Sequence, residues 1–310
     1  MRIVVHGQQA FGKAVLEALL KRGENVIAVY VAPEKPGQKA DPLKDAAVAA
    51  GLPVYQPASY KKPEVWEEFK ALKPDLQVMA FVTLFVPEEF LNIPTHGSIQ
   101  YHPSLLPAYR GASAINWSII KGEKETGLSI FWPDNGLDTG DVLVQKKTPI
   151  SNTDTLGTVY FDRLFPMGVA AMVEAADLVF AGEHKELVQD ESQASYEGWC
   201  KAAEAKINWA NHVDFIHNLI RGCNPAPGAW TSLGGKTVQI YDCKKHISRT
   251  FGAVKGKVGE VSEIGSASFF VTAQGGRIEV LRAKGESTKK ISGAELAAAL
   301  GIQVGTKLDS

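Results

Sequence analysis

The sequence predicts an α/β protein: an open parallel sheet flanked by helices over residues 1–204, followed by a small β-barrel or sandwich over residues 205–310. Apolar, β-branched runs alternate with segments of helical periodicity through the first two thirds of the chain. After Trp209 that alternation gives way to short, evenly spaced strands separated by glycines. A chain of 310 residues also suits about two domains better than one.

The elements follow in order. Residues 2–6 form an apolar strand, Gly7 and Gly12 bracket a turn, and residues 13–22 place Val15, Leu16, Leu19 and Leu20 on one helical face. Residues 26–31 are a second strand, which completes a βαβ unit. The same alternation predicts a helix at 43–50, a strand at 53–55 and a helix at 63–72. A strand at 76–82, a helical turn at 87–91 and a strand at 97–101 follow. A helix at 112–120 and a strand at 127–132 come next. Residues 155–180 read as one long helix kinked at Pro166. In the second region a helix at 213–219 precedes strands at 237–241, 256–264, 268–272 and 278–282. A short helix at 293–300 closes the series.

Composition narrows the function classes. The chain is 45% hydrophobic and 22% charged, ordinary values for a soluble globular protein. Its net charge is only −1, but from Lys206 onward 14 basic residues face 8 acidic ones, a net of +6. That modest excess suits a solvated surface, and it also leaves room for an anionic partner. Cys200, Cys223 and Cys243 lie far apart without a CxxC pattern, so reduced thiols, a cytoplasmic location and no metal site are expected. No signal peptide or long apolar span is visible, so no membrane partner is expected. The opening turn, His6-Gly7-Gln8-Gln9-Ala10-Phe11-Gly12, lacks the GxGxxG spacing, and no acidic residue closes the next strand at Val31. A tight βα turn describes it better than a nucleotide site.

Two loops carry the candidate chemistry. His102 falls at the carboxyl end of a predicted parallel strand, the edge where open α/β sheets place ligands. A second loop, Trp132-Pro133-Asp134-Asn135-Gly136-Leu137-Asp138-Thr139-Gly140-Asp141, also follows a strand and is expected at the same edge. A carboxylate facing an imidazole orients the ring and favours its charged form, which suits acid–base work on a carbonyl. A purely structural histidine is the competing reading.

The stretch HPSLLPAYRGASAINW followed by GLDTGD resembles the N10-formyltetrahydrofolate-dependent formyltransferase family. That family includes methionyl-tRNA, glycinamide ribonucleotide and sugar formyltransferases, and the hydrolase domain of 10-formyltetrahydrofolate dehydrogenase. HGSIQYHPSLLP, RGASAINW and IFW look most like the dehydrogenase's hydrolase domain. INW…HNLIRG…PGAW and the ending GAELAAALGIQVGTKL look like two-domain members. The resemblance implies a Rossmann-like catalytic domain at 1–204 and an OB-like barrel at 205–310. It also implies 10-formyltetrahydrofolate as formyl donor and co-substrate, with no metal. By position His102 corresponds to the family's catalytic histidine and Asp138 to its catalytic aspartate. Gln100 stands where the family usually has asparagine, a departure. The folate pocket implied is lined by Phe81, Val82, Thr83, Leu84 and Phe85 and by Pro133, Asp134, Asn135, Gly136 and Leu137.

The function expected is removal of the formyl group, by hydrolysis or by transfer to an amine, with release of tetrahydrofolate. His102 moves the proton, Asp138 holds His102 or orders the attacking water, and the Gln100 amide donates to the oxyanion. The acceptor is water or an amine, with tRNA and a sugar nucleotide as the amine candidates, and the chain can be one module of a longer protein. Two other classes stand beside this one: a nucleotide-binding oxidoreductase, disfavoured by the missing GxGxxG, and a non-catalytic folate-binding module, disfavoured by the intact His102 and Asp138.

Overall fold

Backbone pairing turns the apolar runs into strands in a computed structural model, which describes all residues except 36, 38, 250–255, 287, 288 and 310. In chain order the first elements are β1 (Arg2–Gly7), α1 (Gln9–Lys21), β2 (Asn25–Val31), α2 (Pro42–Ala49), β3 (Val54–Tyr55), α3 (Pro63–Ala71), β4 (Leu76–Ala80) and α4 (Glu88–Leu91). Then come β5 (Ser98–His102), β6 (Arg110–Gly111), α5 (Ala114–Ile120), β7 (Glu125–Phe131), β8 (Val142–Pro149), α6 (Leu156–Val159), α7 (Phe165–Ala181) and β9 (Tyr196–Glu197). The remainder is α8 (Val213–Gly222), β10 (Ala229–Leu233), β11 (Lys236–Ile247), β12 (Val261–Ile264), β13 (Phe269–Ala273), β14 (Gly276–Gly285), β15 (Ile291–Ser292) and α9 (Gly293–Leu300). The chain divides into two compact units. Residues 1–111, 127–148 and 161–196 make the first, and 112–126, 149–160 and 197–310 the second.

The first unit holds a seven-stranded sheet in the order β3-β2-β1-β4-β5-β7-β8. β1 runs parallel to β2 and β4, and β4 parallel to β5. The chain winds outward from β1 to β3, then returns to β4 on the other side of β1. The β1/β4 boundary is therefore a topological switch point. Gly7 at the end of β1 is a packing requirement, because a Cβ there would stand 2.1 Å from the Ala80 carbonyl oxygen. Helix α1 buries Phe11, Val15, Leu16 and Leu19. These join Ile3, Val5, Ile99, Tyr101 and Met172 in one core. The opposite face packs Tyr30, Tyr60, Phe69 and Phe90.

The expected all-parallel sheet is corrected in one respect. β7 runs antiparallel to β5, with Gln100 opposite Phe131 and His102 opposite Ser129, so the sheet is mixed. An apolar run signals burial on both faces but carries no direction, which is why the reversal is invisible in composition. The long helix expected at 155–180 is present as one stretch, Leu156–Ala181, in which a π-helical turn, Tyr160–Leu164, joins α6 to α7 just before Pro166. The stretch Leu156–Ala181 is long and apolar enough to cross a membrane by length and composition. Its Ala171, Met172, Ala175, Ala176 and Val179 are spent on the sheet core of the first unit.

The second unit is an antiparallel sheet in the order β10-β11-β14-β13-β12, with β15 against β14. Residues 306–309 bridge its two edges. Lys307 pairs with Glu260 and Asp309 with Ser232, and the Leu308 and Asp309 N–H groups donate to the Gly259 and Ser232 carbonyls at 2.9 Å each. This edge closure leaves Trp209, Ile240, Phe269 and Leu308 fully covered. Helix α5, which carries the end of the HPSLLPAYRGASAINW stretch, belongs to this unit. Its Asn116 Nδ2 donates to the Gly222 and Ala226 carbonyls at 2.9 and 3.1 Å.

Candidate active site

Alternation along β5 decides which side chains share a face. Ile99 and Tyr101 enter the core beneath α1 and α7, and Tyr101 lies against the Phe11 ring at 4.3 Å. Ser98, Gln100 and His102 therefore share the other face. His102 is 6% exposed and Asp138 is 9% exposed, and His102 Nδ1 lies 3.4 Å from Asp138 Oδ2. The sequence argument brought these two together for an incomplete reason. Because β7 is antiparallel to β5, its carboxyl end does not share the edge of His102. The loop after Phe131 doubles back to deliver Asp138. Gly140 makes that reversal possible: a Cβ there would lie 1.7 Å from the Trp132 carbonyl oxygen.

The pair is held from several sides. His102 Nε2 lies 2.8 Å from the Tyr109 carbonyl oxygen, which can only accept, so Nε2 carries a proton. Nδ1 is then the ring atom left to exchange a proton with Asp138. The Gly111 N–H donates to Asp138 Oδ2 at 2.8 Å, and the Asp138 backbone carbonyl accepts from Gln189 Nε2 at 2.9 Å. Asp138 has a left-handed φ of 57°, uncommon outside glycine, so these bonds hold a conformation with its own cost. Among the described residues, Asp138 Oδ1 and the Gln100 amide have no hydrogen-bond partner.

The ten predicted pocket residues divide by what they do. Phe81, Phe85 and Leu137 present apolar surface, at 43%, 57% and 59% exposure. Val82 and Leu84 are half-buried against the Tyr60–Phe90 core. Thr83 Oγ1 accepts from Gln8 Nε2 at 3.3 Å, and Phe81–Leu84 line a shallow depression with His6, Gly7, Gln8 and Ala32 at the switch point. Asp134 and Asn135 build the loop. Asp134 Oδ1 accepts from the Gly136 N–H at 2.9 Å and from Thr139 Oγ1 at 2.5 Å. Asn135 Oδ1 accepts from the Glu88 N–H at 3.4 Å, and its Nδ2 donates to Glu88 Oε2 at 2.5 Å. Pro133 is half-buried and Gly136 exposed. Exposed aromatic and aliphatic side chains suit a flat heteroaromatic ring.

The amino end of α1 is already filled. The Gln9 N–H donates to both Asp41 carboxylate oxygens, at 2.9 and 3.0 Å, and the Leu43 N–H donates to Asp41 Oδ1 at 2.9 Å. Asp41 is buried. A dinucleotide phosphate would need that position, which adds a physical ground to the weak glycine pattern. His6 beneath the depression is pushed down to about 3 by burial, so it is neutral, with Tyr60 Oη and Gln77 Nε2 on its two ring nitrogens at 2.8 and 2.7 Å. Tyr109, Arg110, Gly111 and Gln189 were missed as site components. Backbone donors leave no trace in side-chain chemistry, and a lone glutamine 51 residues beyond Asp138 makes no pattern.

Comparison with known proteins agrees with this geometry. The formyl transferase family matches residues 1–176, and the formyl transferase C-terminal domain matches residues 200–301. Over 253 residues the chain is 47% identical to the cytosolic 10-formyltetrahydrofolate dehydrogenase of Homo sapiens, covering 80% of this chain and 28% of that protein. The chain thus spans little more than a quarter of that relative. It is 37% identical over 313 residues to the methionyl-tRNA formyltransferase of Geotalea uraniireducens (strain Rf4), covering 99% of this chain and 98% of that one. An N-formyltransferase from Helicobacter canadensis, solved with folinic acid and dTDP-3-aminofucose, superposes with a TM-score of 0.70 at 20% identity, over 90% of this chain and 98% of that chain. The fold, the two successive domain matches and an end-to-end relative agree, and the chain belongs to the formyl transferase family.

Proposed function

We propose that this protein removes the formyl group of 10-formyltetrahydrofolate, passing it to water or to an amine and releasing tetrahydrofolate. The observation that carries the reading is the buried His102–Asp138 contact of 3.4 Å, set beside exposed Phe81, Phe85 and Leu137. The apolar side chains hold the donor's ring, and the loop backbone meets its polar edge. In the reaction, Asp138 Oδ1 receives the proton of the attacking amine or water while the new bond to the formyl carbon forms; as the bond from that carbon to the folate nitrogen breaks, the same proton passes to the departing nitrogen, with His102 steadying Asp138 through Nδ1. The Gln100 amide donates to the oxygen that gains charge as the formyl carbon becomes tetrahedral. Gln77, Tyr60 and His6 keep the floor of the depression neutral. Residues 1–204 are assigned the catalytic role, and residues 205–310 form the C-terminal domain.

The acceptor is read from two sides. Similarity along the full length of a methionyl-tRNA formyltransferase supports an amine, and the higher identity to a dehydrogenase segment supports water. The test is a panel: tetrahydrofolate release from 10-formyltetrahydrofolate with buffer alone, with charged initiator tRNA, and with an amino-sugar nucleotide. No release under any condition overturns the reading. Release in buffer alone identifies hydrolysis.

A further inference from the structure

We propose that Arg110, acting through Gln189, is a positioning residue for the His102–Asp138 pair. The inference rests on the catalytic reading of that pair. Arg110 is 0% exposed, yet no counter-charge as buried as itself surrounds it. Its partner Glu191 is a surface residue, 68% exposed. All five of its N–H groups are engaged. Nε and Nη2 donate to Gln189 Oε1 at 3.1 and 2.8 Å, Nη2 and Nη1 to Glu191 at 2.6 and 2.9 Å, and Nη1 to the Tyr196 hydroxyl at 2.6 Å. A buried guanidinium fully used in this way has no freedom to turn.

What it holds is the catalytic loop. With Oε1 pinned by Arg110, the Gln189 amide must aim Nε2 the other way. There it donates to the carbonyls of Asp138 and Gly140 at 2.9 and 2.6 Å. Arg110 also stands between the two backbone groups that fix the pair. The carbonyl of Tyr109 receives His102 Nε2, and the N–H of Gly111 reaches Asp138 Oδ2. Its own N–H donates to the Ser195 carbonyl at 2.8 Å, tying that short segment down. One buried side chain thus sets the position of both partners without touching either. Asp138 most needs such support, because its left-handed backbone would otherwise relax.

Gln189→Glu isolates the effect. A glutamate still accepts from Arg110, so the buried guanidinium keeps its partner and the fold its anchor. Its carboxylate cannot donate to the Asp138 and Gly140 carbonyls. The expected result is a melting temperature within a few degrees of the parent. kcat should fall at least about ten-fold while KM for 10-formyltetrahydrofolate stays within roughly three-fold. Arg110→Lys, which loses the fork, should show the same split. The second readout is independent of turnover: the His102 ring resonances, followed by NMR, should shift in Gln189→Glu and in Arg110→Lys. A parent that releases no tetrahydrofolate would sink the functional reading and leave the resonance test to decide this one. Parental kcat together with parental His102 resonances in Gln189→Glu would overturn the positioning role.

Discussion

Replacing Asp138 with asparagine keeps the shape of the side chain but removes its charge and, in the proposed reaction, the oxygen that takes the proton. The asparagine oxygen can still accept the Gly111 N–H, which now donates at 2.8 Å, and Gln189 still holds the backbone carbonyl. The losses are the negative charge 3.4 Å from His102 Nδ1 and the proton acceptor beside it. Whenever the ring carries a charge, a carboxylate at that separation attracts it by about 5 kcal/mol at an effective dielectric near 20, so the charge alone accounts for at most between three and four decades of rate. Desolvation of so buried a pair offsets part of that gain. General acid–base groups typically contribute about 10²–10⁴ in rate. Asp138→Asn should therefore lower kcat by roughly 10²–10³ while KM for 10-formyltetrahydrofolate moves less than about three-fold, because no proposed ring contact changes. The assay is the initial rate of tetrahydrofolate formation with each acceptor, in the parent, Asp138→Asn, His102→Ala and the double variant. Residues that act as a unit give a double variant barely slower than either single one. Additive losses, or an Asp138→Asn enzyme within about ten-fold of the parent, would refute the coupling.

Gln100 carries the second prediction. If its amide is a working donor, Gln100→Leu should cut turnover by roughly 10². If the extra methylene makes it overshoot, Gln100→Asn should raise transfer to amines relative to hydrolysis. Product partition measured in both variants decides, and parental behaviour in both removes any catalytic role. Acid stability should follow His6. Its folded value of about 3 lies below the unfolded 6.5, so stability is fully present above pH 6.5 and is lost as pH falls toward 3. By pH 5 the loss is about 2 kcal/mol, and buried His217, pushed down to about 4, adds a similar decline in the second unit. Urea midpoints at pH 8 and pH 5 measure it, and a His6→Ile variant with the parent's slope would exclude His6 as the cause. If tRNA is the acceptor, its binding to the basic half should weaken steeply with salt, and Lys244→Ala should reduce the log–log slope by about one. Binding that ignores salt in a filter assay would remove tRNA.

How much of this was legible depends on what each residue's environment writes into the chain. β1, β2 and β4 are buried on both faces, so their apolar runs announced them. β8 escaped notice because the consecutive polar residues Gln145, Lys146 and Lys147 break its apolar alternation, so that an edge strand reads as loop. β10 was hidden behind the prolines that precede it. The orientation of β7 depends on the path between strands, and no local pattern records a path. The π turn at 160–164 lies directly before Pro166, and a single-turn change in hydrogen-bond spacing leaves no mark in apolar periodicity. In the site, His102 and Asp138 were found by motif, and their meeting depends on a loop reversal that only Gly140 hinted at. Asp134 and Asn135 were placed in the pocket by resemblance, through the backbone of their loop, and their side chains shape the turn that carries it. Arg110 was passed over because arginine is ordinarily a surface residue, and nothing near it in sequence betrays complete burial.

In doubly wound folds the start of the first helix is the usual landing place for a phosphate, and phosphorylated metabolites compete for it. Asp41 ends that competition from within. To settle there, a nucleotide would have to evict a buried carboxylate that simultaneously starts α2 and satisfies the first N–H of α1. The protein in effect carries its own resident anion, which makes that end of the sheet indifferent to the surrounding pool of phosphates. On the proposed function, the adjoining depression is left to a donor recognised by flatness and ring edges rather than by charge. A scaffold associated with nucleotides is thereby turned to other chemistry by one side chain more than 30 residues away in sequence from the helix it occupies.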